Sequence, residues 1–159
     1  IEVDPKKAST YLMNLSKVYR YTLSHLDHDV VTLQEEVAFI DRYLDLLQQR
    51  FGDGIQVRIA LDVEKLQGKL PPAALQMLIE NAIKHNEHTK EHPLVIDVTA
   101  DDRHISVSNH KQPITTAEST NVGQHNIVER YHLLTSKKVV INDTPEEYSV
   151  TIPLIPIEP

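Results

Sequence analysis

The hydrophobic period changes at Phe51-Gly52-Asp53-Gly54, and that change constrains the fold more than any other feature. Before it, apolar residues recur every three or four positions. Leu12, Leu15, Val18, Tyr19, Leu23 and Leu26 form one stripe, and Leu33, Val37, Ile40, Leu44 and Leu47 form a second. Such spacing lines up each set along one side of a helix. After it, Ile55-Gln56-Val57-Arg58-Ile59-Ala60-Leu61 alternates strictly, as a half-buried strand does. Asp4-Pro5 supplies a capping residue and then the imino acid suited to a first helical position. Asp27-His28-Asp29 breaks the first stripe, and Thr32 to Glu35 has the spacing of a capping box. Gly52 and Gly54 permit the left-handed backbone on which helices end. Residues 1–50 are therefore expected to form two antiparallel helices with a short connection, a helical segment set apart from residues 51–159.

The second part reads as a sheet with helices. Leu70-Pro71-Pro72 opens a helix from about Ala73 to Asn86. Leu94 to Thr99 and His104 to Ser108 alternate again. Asn109 to Val122 has little periodicity and is read as a loop of about a dozen residues, a length usually tied to function or motion. A helix follows from about Gly123 to Leu134, then strands at Lys138–Ile141 and Tyr148–Ile155 joined by Asn142-Asp143-Thr144-Pro145. Prolines in the tail from Ile155 to Pro159 stop the last strand. This order predicts an α+β fold: a two-layer α/β sandwich, its mixed sheet carrying helices on one face, preceded by a helical hairpin.

Composition narrows the function classes. Of 159 residues, 40% are hydrophobic, enough for the core of one domain with a helical appendage. With no cysteine, disulfide frameworks and thiolate chemistry are excluded. Sixteen Lys and Arg against 23 Asp and Glu leave a net charge of −7, which argues against a general nucleic-acid binder. No run approaches the ~18 apolar residues of a membrane span. The chain opens at Ile1-Glu2-Val3 without an initiator Met or a signal peptide, so it is expected to be cut from a longer protein.

Three places can carry chemistry. Within Leu75 to His85, Leu75, Leu78, Ile79, Ala82 and Ile83 share a buried helical face. Asn81, Lys84 and His85 share the other side, with Gln76 and Glu80 nearby. A carboxamide oxygen can bind Mg²⁺ and an ammonium can meet phosphate, though by spacing alone a solvated polar face is the commoner explanation. Asn109 ends a strand and offers both donor and acceptor to a base edge; a turn residue is the plainer reading. Gly123 opens a helix after the loop, as a phosphate site or a simple cap would require. The nine histidines include the close sets His25/His28 and His85/His88/His92. No carboxylate or thiolate has a compelling spacing to them, so no histidine metal site is expected.

In order along the chain, these segments resemble the boxes of the GHKL ATP-binding fold, and more closely the catalytic region of LytS/YehU-type sensor histidine kinases. Leu15-Ser16-Lys17-Val18-Tyr19-Arg20-Tyr21 resembles the family's Leu-Ser-x-x-x-Arg-Tyr helix. Thr32-Leu33-Gln34-Glu35-Glu36-Val37, Tyr43-Leu44 and Arg50-Phe51-Gly52 resemble its next helix. Leu70-Pro71-Pro72, Leu75-Gln76 and Glu80-Asn81-Ala82-Ile83-Lys84-His85 resemble its N box. Gly123 to Tyr131 resembles its Gly-Leu-x-Asn-Ile-x-x-Arg segment, including Asn126.

The resemblance implies a protein-histidine kinase using ATP and Mg²⁺. Asn81 would ligate the metal, Lys84 would meet phosphate, and His85 would lie near the nucleotide. Glu80 would polarise or position a reacting group. Asn109 would stand at the adenine-reading position, residues 110–122 would be the ATP lid, and Gly123 with Asn126 would face the phosphates. Arg130 is expected to be structural. The family has Asp where this chain has Asn109, and a first glycine where it has Asn121. A neutral Asn is a weaker acceptor than Asp, and a lid without glycine before Gly123 is less adaptable. The family's phosphoacceptor lies in a His-Phe segment upstream of Leu15, and no such segment occurs here. The whole protein is expected to be a homodimer with a cognate response regulator. Its catalytic part would be cytoplasmic, and it would reach the cytoplasmic membrane only through segments absent from this chain. The alternative is a degenerate domain acting by dimerisation or docking. A GHKL ATPase with Glu80 activating water is a third reading, disfavoured by the Leu-Ser-x-x-x-Arg-Tyr helix.

Overall fold

The computed structural model describes residues 5–24, 28–114 and 122–157. In chain order the elements are α1 (Pro5–Ser24), β1 (Val31–Thr32), α2 (Leu33–Phe51), β2 (Ile55–Ala60), β3 (Lys69–Leu70), α3 (Ala74–His85), β4 (Leu94–Ala100), β5 (His104–His110), α4 (Val122–Leu134), β6 (Val140–Asp143) and β7 (Glu147–Pro153). A 3-10 turn at Gly52–Gly54 links α2 to β2. Asp4, His25, Leu26, Asp27 and residues 115–121 fall outside the described residues.

β2, β4, β5, β7 and β6 form a five-stranded sheet in that spatial order. β2 runs parallel to β4 and the other pairs are antiparallel, so the sheet is mixed. Alternation divides its faces. Leu94, Ile96 and Val98 on β4, Ile105 and Val107 on β5, and Val150 and Ile152 on β7 are buried in the helix-covered face. The other face carries polar groups such as the Ser106–Thr151 hydroxyl pair, 2.6 Å apart. This is the expected two-layer sandwich.

The helical hairpin forms as expected, with the end of α1 against the start of α2. Tyr21 stacks on Phe39 with ring centroids 4.0 Å apart. The predicted capping box is present. The Thr32 hydroxyl accepts from Glu35 N at 3.2 Å, and the Glu35 carboxylate accepts from Thr32 N at 2.8 Å. Gly52 ends α2 at φ 54°, with its N–H donating to Gln48 O. The two helices differ in burial. Leu33, Phe39, Ile40, Tyr43, Leu46 and Leu47 of α2 join the same core as the sheet. On α1, Val18 is buried, whereas Leu12, Met13, Tyr19 and Leu23 are exposed.

Two departures from the expected elements matter. β5 continues to His110, so Asn109 lies inside a strand instead of opening a loop. β1 and β3 pair with each other, Val31 opposite Leu70, in a two-residue ladder too short to show a period. This ladder pins the entrance of α2 to the entrance of α3, helped by Leu33 N donating to Gly68 O at 3.0 Å. Lys69 and Ile155 also exchange backbone hydrogen bonds, both 2.8 Å. Gly68 makes that approach possible, because a Cβ there would sit 2.8 Å from the Leu154 Cβ. Gly68→Ala is expected to destabilise the chain by about 1–3 kcal/mol, lowering the thermal midpoint by about 2–4 °C per kcal/mol. An unchanged midpoint in a thermal melt would contradict this close packing.

Candidate functional site

The site is built on α3, and α3 has an irregular start. Pro71 and Pro72 precede it, and Ala73 at its N-cap adopts φ 59°, ψ 22°, a left-handed conformation that costs a side-chain-bearing residue about 1 kcal/mol or more. No neighbouring side chain caps the helix. Glu36, from α2, does so instead. One carboxylate oxygen accepts from Leu75 N at 2.9 Å, and the other accepts from Ala73 N at 3.0 Å and from the Tyr21 hydroxyl at 3.3 Å. A carboxylate at a helix N-terminus meets both free N–H groups and the positive end of the helix dipole. Arg130 of α4 donates to Pro72 O at 3.0 Å, which gives it the structural contact expected of it.

Glu36 is completely buried. Burial pushes its carboxyl up to about 7, against the opposing pull of the Leu75 and Ala73 amides, Tyr21 and Arg130. Burial and the Glu36 charge likewise hold the Tyr21 and Tyr131 hydroxyls protonated, with their acidity pushed well beyond the ordinary range. Glu36 was not singled out from the sequence. The available signal was its place on the apolar stripe, three residues after Leu33 and four before Ile40.

Along α3, the expected apolar face is buried: Leu75, Leu78, Ile79, Ala82 and Ile83, with Ala74 added. Glu80 and Asn81 face different sides, as consecutive helical residues do. Glu80 is drawn towards α2, accepting from the Tyr43 hydroxyl at 3.1 Å and from Gln76 Nε2 at 2.7 Å. Asn81 is half-buried, and its Nδ2 is buried without a hydrogen-bond partner. Lys84 is exposed. His85 is half-buried, and burial first, then the Lys84 charge, lowers its basicity, so the ring is neutral at pH 7.

The end of α3 and the end of β5 are tied together by a residue that the sequence did not single out. Asn86 is buried. Its Nδ2 donates to Ala82 O at 2.7 Å, and its Oδ1 accepts from Gln112 N at 2.6 Å. Glu87 N donates to Gln112 O at 2.6 Å. Asn109, three residues before Gln112, is buried on β5 between Ile96 of β4 and Tyr148 of β7. Its Nδ2 donates to His110 O at 2.8 Å. Thus Asn81, Lys84, His85 and Asn109 occupy adjoining ends of a helix and the strand beneath it. α4, which packs on α3, carries Gly123 in its first turn and an exposed Asn126 one turn later.

The donor set fits a magnesium-bound polyphosphate better than a protein-only metal cage. Among the described residues no group of three or more His, Asp or Glu could hold a metal. His88, from the histidine-rich stretch, is engaged at Nδ1 with Asn86 O at 3.0 Å. Mg²⁺ usually takes one or two protein oxygens together with phosphates and water. Asn81 has one such carboxamide oxygen, while its buried, unpaired Nδ2 is a hydrogen-bond donor and takes no part in ligating a metal.

Glu36 gives a checkable pH dependence. A carboxyl raised from 4.5 to about 7 binds its proton in the folded state where the unfolded chain has lost it. Its contribution is fully present below pH 4.5 and declines as pH rises through about 7. Urea unfolding from pH 5 to 7 should therefore show a downward slope in stability that Glu36→Gln flattens. Parallel slopes would mean that this carboxyl does not titrate there.

The chain is similar to known proteins in sequence and in fold. The family model described as histidine kinase matches residues 1–55. The chain is 35% identical over 109 residues to sensor protein LytS of Oceanobacillus iheyensis, covering 67% of this chain and 19% of that protein. It is 32% identical over 134 residues to sensor protein LytS of Streptococcus agalactiae, covering 81% of this chain and 23% of that protein. The chain thus spans about a fifth of the length of these curated relatives. The catalytic domain of histidine kinase ThkA superposes with a TM-score of 0.57 at 16% identity, over 80% of this chain and 99% of that one. The cytoplasmic segment of histidine kinase QseC gives 0.52 at 17% identity, over 99% and 98%. These structures share the fold, and the sequence relatives carry the assignment: the chain belongs to the LytS-type sensor histidine kinases.

Proposed function

We propose that this chain is the ATP-binding catalytic part of a sensor histidine kinase. It would bind Mg²⁺-ATP and present the γ-phosphoryl group to a histidine on a helix upstream of residues 15–21. From there the group would pass to an aspartate of a response regulator. The observation that carries the reading is the tie that Asn86 makes between the end of the helix carrying Asn81, Lys84 and His85 and Gln112, three residues after Asn109.

Bound Mg²⁺ would neutralise phosphate charge, which is the main electrostatic demand of phosphoryl transfer. The chain's own residues hold and orient. Asn81 offers a carboxamide oxygen to the metal, and Lys84 offers an ammonium to phosphate oxygens. His85, neutral at pH 7, adds a hydrogen-bonding ring without a further charge. Glu80 is held by Tyr43 and Gln76 on the side of α3 towards α2, and from there it would position the reacting group only through the placing of α3. Asn109 Nδ2 is committed to His110 O, which leaves Oδ1 as the adenine acceptor. Residues 110–122 would be the ATP lid, of which 115–121 lie outside the described residues, and the first turn of α4, with Gly123 and Asn126, would offer N–H groups to phosphate.

Residues 1–50 supply the link to the phosphoacceptor helix, and 51–159 the nucleotide fold. The exposed Leu12, Met13, Tyr19 and Leu23 of α1 support a homodimer in the whole protein, where they would meet the second subunit. Among the described residues no helix is long and apolar enough to cross a membrane, and membrane attachment belongs to other segments of the protein. The neutral Asn109, already bonded to the His110 carbonyl, favours a second reading: a degenerate domain that docks and dimerises with little ATP binding.

Calorimetric titration of ATP, with Mg²⁺ and then with EDTA, separates the two. Saturable, Mg²⁺-dependent binding is expected, and Asn81→Ala should abolish the Mg²⁺-dependent part. Unchanged affinity in that variant would sink the metal role. Asn109→Ala should weaken ATP binding in a chain that still folds, as read by circular dichroism. Equal binding of ATP and GTP by the unaltered chain would count against Asn109 as an adenine reader.

A further inference from the structure

A buried carboxylate is expensive, and an apolar side chain of similar volume at position 36 would often cost less. What the fold obtains from Glu36 is geometry. We infer that Glu36 is a positioning residue that fixes where α3 sits and, through Tyr21, makes that position answer to α1. The inference rests on reading Asn81, Lys84 and His85 as the phosphate-facing set, because those residues ride on α3.

Three observations carry it. First, α3 has no cap of its own, and its strained Ala73 N-cap is held by the Glu36 carboxylate. The position of this helix end is therefore set from α2 and not by local sequence. Second, α2 is a firm base for that role. Its capping box, the β1–β3 ladder and the Gln34 Nε2 bond to Val63 O at 3.0 Å fix it to the sandwich. A second strut, Tyr43 to Glu80, joins the same two helices further along. Two attachments resist both sliding and rotation of α3, which one would not. Third, the oxygen that accepts from Ala73 N also accepts from Tyr21, on the helix with the most exposed apolar surface. A shift of α1 against α2 changes the partners of that oxygen, and hence the seat of α3. The charged and titratable groups facing the carboxylate are Tyr21 from α1 and Arg130 and Tyr131 from α4. Arg130 is already committed to Pro72 O, so it steadies the same turn from the other side.

Glu36→Gln and Tyr21→Phe test this in the whole chain, with amide NMR along α3 and Mg²⁺-ATP calorimetry as readouts. Glu36→Gln leaves one acceptor where two stood, and turns an NH₂ group towards a backbone N–H. It should speed exchange at the Ala73 and Leu75 amides and shift resonances as far as Asn81 to His85. ATP should bind about tenfold more weakly, a loss of the size expected for hydrogen bonds to a charged group. Tyr21→Phe keeps the ring stacked on Phe39 and the cap intact. It should displace the same resonances by less and weaken ATP about twofold to threefold. Disturbance confined to residues 73–76, with ATP affinity within twofold, would reduce Glu36 to a local cap and overturn the inference. An unmoved α3 in Tyr21→Phe would remove the link to α1. If Glu36→Gln does not fold, Tyr21→Phe decides alone. If the unaltered chain binds no ATP, the nucleotide reading fails, and the amide resonances still decide the positioning role.

Discussion

A helix must satisfy the N–H groups of its first turn, and α3 does so only in part from its own sequence, with Ala74 N donating to Pro71 O at 3.2 Å. Prolines precede it, and alanine occupies the cap. The Glu36 carboxylate resolves this from across the core, and much of the arrangement follows. α2 must lie where its fourth residue reaches the start of α3. α1 must bring Tyr21 to the same oxygen, and α4 must bring Arg130 to the Pro72 carbonyl. Four helices thus converge on one short turn, and the turn leads directly into the residues read as the nucleotide site.

This convergence blurs the division between the helical segment and the sheet-based part. α2 begins as the second arm of a hairpin, yet its side chains are counted in the same core as β4, β5 and β7. α1 is bound more loosely, through Val18, Tyr21 and the stacking on Phe39. Burial thus rises from α1, which exposes Leu12, Met13, Tyr19 and Leu23, to α2 and α3, which share the core with the sheet.

The elements longer than about five residues were legible because periodicity averages over several side chains. The Thr32 capping box was legible too, since all its atoms lie within one turn. The helix α3 was found by its apolar face and its polar side by helical spacing, while the roles of that side came only from resemblance. What escaped depends on contacts distant in sequence. Glu36 and Ala73 meet only in the folded chain. Asn86 looks like any residue after a helix until Gln112 arrives beside it. Gly68 gives no pattern at all, and its need for a missing side chain is set by Leu154. Asn109 was expected to open a loop and lies inside β5 instead, because β5 runs on past the point where its alternation was followed.

The Lys69–Ile155 exchange has a consequence for how the protein is made. The segment entering α3 is completed by backbone from the far side of β7, so its closure is among the most distant pairings in the chain. Contacts of that kind form late and slowly. A nascent chain emerging from the ribosome could assemble the α1–α2 hairpin and the β4–β5 pair early. It could not seat Pro71 to Ala73 until residues 154–155 had emerged. The start of α3, which leads into Asn81, Lys84 and His85, would then be the last part of the domain to acquire its shape.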